Sequence, residues 1–393
     1  MINVAVAGLG IGLAHVAGYL SHPQARLVAV ADAWKPRRAT VGGTFTQGAM
    51  AVLKPLFRET TLSKSWEELG CFVFESAEDL ASAIQSGTVY DRVPGADPDA
   101  PWLVSLCTPD DTHEELAVLL LEAGCNVLLE KPLALTVDGA LRVGQAAHDA
   151  GRRLALGYEF RVNPAVVELR RLVGSGGLGR PVAFALYHFR SPFRRNKWNH
   201  WIQERARSGG LIVEETCHWF DLARWIVGAE IDELVCHGTD LVHPDFDYED
   251  IAFVQGRYQG GAVFQISHSL TGHDFSLILQ VHGTEGTAWV GLKEEVYSSL
   301  DGGASHFLGI LSRGVAGAAP ADAVVQTWGQ EATEPFNIRD AVTAAVDALL
   351  DGSGFAAGFS DGLRSLEVAL AARSSLEGAN PVRPAYSPGT NTP

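Results

Sequence analysis

The chain has 393 residues, 47% hydrophobic and 19% charged, which is too long for one ordinary core and fits a two-domain globular protein. With 30 basic against 46 acidic side chains the formal charge is −16, which opposes nucleic acid or an anionic membrane as the main partner and leaves only local basic patches for such contacts. No run of eighteen uninterrupted apolar residues occurs, so no bilayer span is expected, and the chain reads as cytoplasmic.

The N-terminus reads as an apolar strand, Val4-Ala5-Val6-Ala7, that enters a glycine turn, Gly8-Leu9-Gly10-Ile11-Gly12. A helix-compatible run from Ala14 to Leu20 follows, and then a strand from Arg26 to Ala31 that stops at Asp32. This is the layout of a dinucleotide site. Gly8 allows the sharp turn, Gly10 lets the backbone approach a pyrophosphate, and the new helix offers unpaired N–H groups to that anion. Asp32 is placed to take the ribose hydroxyls and favours NAD, while Lys35, Arg37 and Arg38 leave NADP open. Gly12 comes one position early for the usual G-x-G-x-x-G spacing.

The long stretch from Ala33 to Asp99 predicts short helices at Ser65–Leu69 and Ala77–Gln85. Trp102–Cys107 is a buried strand, and Thr112-His113-Glu114-Glu115 a capping box for a helix that runs to Gly124. A strand over Asn126–Leu129 delivers Glu130-Lys131-Pro132 at its C-terminal end, where open α/β sheets place ligands. A helix over Val137–Ala150 and a strand over Arg153–Gly157 complete a doubly wound parallel sheet.

After a helix near Pro164–Val173 the pattern becomes alternating: Val182–Phe189, Ile231–Gly238, Ile251–Tyr258, Gly261–Ser269, Phe275–Gly283 and Thr287–Val290. That predicts a largely antiparallel sheet with one face covered. Ala304–Pro320 reads as a loop, Gly362–Leu376 as an amphipathic helix, and the tail from Pro381 as disordered. The expected domains are 1–158 and 159–380.

Three groups of residues carry possible chemistry. Lys131, at the mouth of the parallel sheet, can hydrogen-bond a substrate hydroxyl and lower its pKa, and Pro132 stiffens the chain there. On one continuous helix Glu214, His218 and Asp221 share a face, so that two carboxylates flank an imidazole able to accept a proton from an alcohol. A solvated polar face with the same spacing is the plainer alternative. Phe193-Arg194-Arg195-Asn196-Lys197-Trp198-Asn199-His200-Trp201 mixes cations, amides and aromatics suited to sugar rings, and Tyr158, Arg161 and Asn163 form a similar cluster at the domain join.

The five cysteines are scattered without a C-x-x-C pair, so neither a disulfide framework nor structural zinc is expected. Cys217-His218 and Cys236-His237 are chain neighbours that point apart and do not share an ion easily.

Together these landmarks resemble the glucose-fructose oxidoreductase / inositol dehydrogenase (Gfo/Idh/MocA) family along almost the whole chain. The matching positions are the glycine turn ending at His15, Cys107-Thr108-Pro109 with His113, Glu130-Lys131-Pro132, Gly157-Tyr158 with Arg161, Gly209-Gly210 running into His218 and Asp221, His282-Gly283-Thr284-Glu285-Gly286, and Asp361-Gly362-Leu363. The resemblance implies a Rossmann domain followed by an α/β domain whose open sheet makes oligomer contacts, as a homodimer or homotetramer. It implies that Thr108, Pro109, His113, Glu130 and Lys131 bind the cofactor together with the glycine turn. It also implies that Lys131 and His218 flank the reacting carbinol, and that Glu214 stands where the family usually has Asp.

The expected function is therefore NAD(P)-dependent oxidation of a secondary hydroxyl of a sugar, glycoside or cyclic polyol, or the reverse reduction. His218 would be the base, Lys131 the polarising group, and Glu214 and Asp221 the orienting acids, with Tyr158, Arg161, Asn163, Trp198 and His200 near the substrate. Two alternatives are an inactive cofactor-binding regulator of the same fold and a sugar-sugar oxidoreductase that never releases its nicotinamide.

Overall fold

The computed structural model describes residues 1–39, 64–93, 95–190, 198–272, 276–294, 307–315, 324–328 and 337–388. In the first part, β1 (Ile2–Ala7), β2 (Ala25–Ala31), β3 (Phe72–Phe74), β4 (Trp102–Leu106), β5 (Asn126–Leu129) and β6 (Leu154–Leu156) form a parallel sheet in the order β3-β2-β1-β4-β5-β6. Its helices are α1 (Gly12–Ser21), α2 (Ala77–Gln85), α3 (Thr88–Arg92), α4 (His113–Glu122) and α5 (Val137–Asp149). β1, β4 and β5 are buried along their whole length, as a sheet covered by helices on both faces requires. Strand order reverses between β1 and β4, and the crevice at such a reversal is where an open α/β sheet takes its ligand.

The second part is an eight-stranded sheet in the order β14-β13-β12-β11-β7-β10-β9-β8. Its strands are β7 (Pro181–Phe189), β8 (Ile231–Thr239), β9 (Ile251–Tyr258), β10 (Val263–Ser269), β11 (Ser276–Gly283), β12 (Gly286–Glu294), β13 (Phe307–Val315) and β14 (Val324–Trp328). β7 and β10 pair in parallel, whereas the other neighbours are antiparallel. One face is covered by α6 (Pro164–Gly174), α7 (Gly210–Glu214), α8 (Thr216–Val227) and α10 (Phe359–Gly378). The other face leaves Phe189, Phe253, Val263 and Ile278 exposed.

Between these helices the chain returns to the first sheet. In α9 (Ile338–Asp351), Ile338, Val342 and Val346 share one core with Ile2, Val4 and Leu13, so a helix late in the sequence covers the Rossmann-like face. Gly18 in α1 makes that approach possible, since a Cβ there would lie 2.8 Å from Val342.

Three expectations are corrected. Ala304–Pro320 is not a loop throughout: Phe307–Val315 is β13, paired with β12 from end to end, and this ladder overrides the weak strand preference of Gly309, Ser312 and Gly314. The tail is anchored as far as 388: Val382 exchanges backbone hydrogen bonds with Leu234, Tyr386 donates to Ile231 O at 2.8 Å, and the Ser387 N–H donates to Glu367. Thr112 makes no capping box, because Asp110–Thr112 forms a 3-10 turn and its hydroxyl donates back to Pro109 O at 2.7 Å. Among the described residues no helix is long and apolar enough to cross a membrane.

Candidate active site

The glycine turn at the end of β1 has the geometry that a dinucleotide needs. Gly8 has φ +92°, and a Cβ there would lie 2.3 Å from Cys107 O, so this position admits only glycine. At Gly10 the nearest atom to a Cβ would be the Arg37 guanidinium at 3.5 Å, which leaves the backbone open to a phosphate. Gly12 is the first residue of α1, and a Cβ there would press to 2.8 Å on Val6. The early third glycine therefore still performs the close helix-on-strand packing that the fingerprint requires. Asp32 holds the turn from the end of β2: its carboxylate accepts from Leu9 N and from Trp34 N, each at 2.7 Å, and Arg37 lies 3.6 Å away. Leu9 is buried beneath the turn, while Ile11 is half-buried just before α1.

Two further loops at the same sheet edge are tied together by His113. It is fully buried, with Nδ1 2.8 Å from Pro132 O and Nε2 3.0 Å from Thr108 O. Burial holds its pKa below the ordinary histidine range despite these two carbonyls. His113 thus braces the loops carrying Thr108-Pro109 and Lys131-Pro132. Glu130, at the end of β5, hydrogen-bonds His15 Nε2 at 2.9 Å, and His15 Nδ1 reaches Ser105, which also meets the Tyr19 hydroxyl at 2.6 Å. Burial pushes the Glu130 carboxyl up, yet His15 and the nearby Lys131 charge prevail and keep it below its usual range. Gly157 gives this carboxylate room, since a Cβ there would sit 2.9 Å from its Oε1.

Lys131 emerges from this edge and crosses to the second sheet's helices. Its ammonium donates to Glu214 Oε1 at 2.7 Å and to Glu214 O at 2.8 Å. Burial alone would lower its pKa, but the Glu214 carboxylate, aided by Asp110, outweighs it and holds the amine above its ordinary range. An ammonium carries three N–H donors, so one remains beyond the two spent on Glu214. His218 is buried, with Nδ1 3.7 Å from Glu159 and the rings of Tyr158 and Phe160 set edge-on against it. Burial, and after it the charge on Lys131, holds the imidazole well below its ordinary pKa, so it is neutral at pH 7.

The expected single helix face does not form. Glu215 breaks the helix with φ −113° and ψ −43°, so Glu214 ends α7 and His218 begins the first turns of α8. Glu214 consequently turns to Lys131, and the carboxylate facing His218 is Glu159, which sequence reasoning missed although it directly follows Gly157-Tyr158. Asp221 does not orient the imidazole either. Fully buried, it takes a two-pronged hydrogen bond from Arg161, each prong 2.7 Å, and Arg161 also reaches Asp361 at 2.7 Å and Ala356 O at 2.9 Å. Arg161 and Asp221 are thus committed to each other rather than to a substrate.

Asn163 likewise is spent on structure: its side chain caps α6 through Ala165 N and Val166 N and donates to Asn337 at 2.7 Å. Tyr158 is buried against His218, and His200 is exposed in the turn Trp198–Gln203, with φ +56°. The residues from Phe193 to Lys197 lie outside the described residues.

With this geometry in view, two family profiles match: "Oxidoreductase family, NAD-binding Rossmann fold" over residues 2–158 and "GFO/IDH/MocA C-terminal domain" over residues 166–289. The chain belongs to the Gfo/Idh/MocA oxidoreductase family. This oxidoreductase is 27% identical over 315 residues to the scyllo-inositol 2-dehydrogenase (NAD(+)) of Bacillus subtilis, covering 78% of this chain and 79% of that one. It is 29% identical over 294 residues to the inositol 2-dehydrogenase of Rubrobacter xylanophilus, covering 74% and 71% of the two chains. Among solved structures, GenD2 from gentamicin A biosynthesis in complex with NAD superposes with a TM-score of 0.72 at 23% identity, covering 98% of this chain and 97% of that one. Levoglucosan dehydrogenase in complex with NADH and L-sorbose gives 0.72 at 19% identity, covering 98% and 99%. These superpositions establish the shared fold, and the Rossmann-domain match makes NAD the cofactor of this oxidoreductase. The turn from Gly8 to Gly12 with Asp32 fits it: Gly10 leaves its backbone open to a phosphate, and Asp32 directly follows β2, where a carboxylate would meet the ribose.

Proposed function

We propose that this enzyme oxidises a secondary hydroxyl of a sugar or cyclic polyol, or runs the reverse reduction, at the junction of Lys131 and His218. The supporting observation is an ammonium that keeps one N–H uncommitted and is held by Glu214 at the end of α7, four residues before the buried imidazole of His218 at the start of α8. Bound NAD supplies the hydride acceptor. The protein's part is proton movement and charge placement: neutral His218 takes the hydroxyl proton, and Lys131 hydrogen-bonds the same oxygen and favours its alkoxide character. Glu214 keeps Lys131 charged and aimed, and Glu159 steadies the imidazolium once it forms. The reductase and inositol dehydrogenases among the relatives, named for 1,5-anhydro-D-fructose and inositol, support a polyhydroxylated ring as substrate class.

The oligomer belongs to the same proposal. Phe189, Phe253, Val263 and Ile278 lie on the uncovered face of the second sheet, and closing that face against a second copy would remove them from water. The five unpaired, buried thiols suit a reducing cytoplasm.

The test is nicotinamide absorbance with a panel of inositols, anhydro sugars and aldoses. The native enzyme should reduce NAD with at least one of them, and His218→Ala should lower turnover by about 10²–10⁴-fold with NAD affinity nearly unchanged. Binding of NAD without turnover on the whole panel would instead favour a regulatory role.

A further inference from the structure

Residues 211–227 contain neither Pro nor Gly, so the backbone itself gives no reason for the helix to stop within them. It stops all the same at Glu215. α7 closes with the Glu215 N–H on Leu211 O at 3.2 Å, and α8 opens with the His218 N–H on Glu215 O at 3.1 Å. The reason lies in side chains. The Thr216 hydroxyl donates to Leu211 O at 3.0 Å and meets His268 Nδ1 at 2.9 Å, which secures the break locally.

Glu215 secures it to the second sheet. Arg190, directly after β7, donates from Nε to Glu215 Oε2 at 3.0 Å, and its Nη2 pairs with Oε1. His268 in β10, the parallel neighbour of β7, brings Nε2 to 3.2 Å from the same Oε2. Arg190 is itself a fixed point: its N–H donates to Ser269 O and its carbonyl accepts from Gly272 N, each at 3.0 Å, and a Cβ on Gly272 would lie 2.8 Å from Arg190 N. All three side chains are buried. A buried ion pair contributes little stability that an apolar pair would not, so stability alone does not account for charges here, whereas setting a register does. Neighbouring residues of a helix point different ways, so seating Glu215 on Arg190 sends Glu214 elsewhere, to Lys131. On an unbroken helix Glu214 and His218 would share one face; here Glu214 serves the ammonium and leaves the imidazole to Glu159.

We propose that Glu215 is a positioning residue, whose ties to Arg190 and His268 set the break that aims Glu214 at Lys131 and starts α8 just ahead of His218. Its role in the reaction presupposes that Lys131 and His218 act on the substrate hydroxyl, whereas the first test below does not.

Arg190→Met/Glu215→Leu removes the tether and leaves no charge orphaned, so this double variant should melt close to the native protein. Glu215→Gln keeps the shape of the side chain and gives a second reading where the double variant does not fold. Trace acetylation of Lys131, read by peptide mass spectrometry without substrate, reports how firmly Glu214 holds the ammonium. Either variant should label Lys131 at least about tenfold faster than the native protein, since an amine released from a carboxylate loses a pKa unit or more. With a substrate from the turnover panel, the double variant should lose about 10- to 100-fold in kcat while KM and NAD affinity change by less than about threefold. A folded variant that labels Lys131 at the native rate would overturn the proposal. So would a folded double variant with native kcat. Labelling needs no turnover, so a native protein inert on the whole panel would remove the dehydrogenase reading and leave the labelling to decide the tether.

Discussion

His218 shows how a residue's surroundings set its chemistry. An exposed imidazole is half protonated near pH 6.5, whereas this one is buried and faces the Lys131 charge, which both favour the neutral form. Since the folded value is depressed, the base is lost only when pH falls through that lower value. The kcat/KM for oxidation should therefore stay level from pH 8 to below about 6.5 and decline only under it. An acid limb at or above 7 would show that another group is the base. Lys131, whose pKa is raised, stays charged throughout this range and acts by hydrogen bond and charge, not as the base. Residue identities such as Gly8, Asp32, Lys131 and His218 were legible because each sits at a strand end or in a distinctive turn. Their partners were not: Glu214 turns to Lys131 and the unforeseen Glu159 faces His218, because one residue, Glu215, leaves the helical path, and no periodicity announces that break.

At the scale of elements, the Arg161–Asp221 pair joins the turn Glu159–Val162 to α8, and Asp361 brings in α10. Sequence alone placed Arg161 near the substrate and made Asp221 an orienting acid, since charge at a domain join reads the same whether it faces a cleft or a core. Their burial decides for structure. Asp221→Asn leaves a buried guanidinium short of one carboxylate and should cost about 3–5 kcal/mol of stability, with KM for substrate little changed in whatever folds. Unchanged thermal stability together with a raised KM would return Asp221 to the substrate. Most strands and helices were legible from alternation and helical spacing. β3, β13, β14 and α9 were not: three residues in β3 carry no period, and glycines in β13 mask a ladder imposed by its neighbour.

For the whole molecule, the two-sheet plan follows from the change of pattern after Gly157, but the way the sheets share helices does not. α9 lies far along the chain yet seals the first sheet, a pairing between distant segments that no local signal carries. The uncovered face of the second sheet bears on assembly. Ile278→Lys places a charge at the centre of that apolar face, on a strand residue already 37% exposed in the single chain. The fold of one chain should tolerate it, while light scattering should show the native oligomer giving way to monomer. A native protein that is monomeric at the outset would remove this face from the assembly.

The account rests on Lys131 and His218 acting on one oxygen. A crystal structure with NAD and a polyol from the turnover panel tests that most directly. It should show the Lys131 ammonium and a ring nitrogen of His218 each within about 3 Å of the same hydroxyl, with that carbon's hydrogen facing the nicotinamide. A bound polyol whose hydroxyls meet only one of the two residues, or neither, would contradict it.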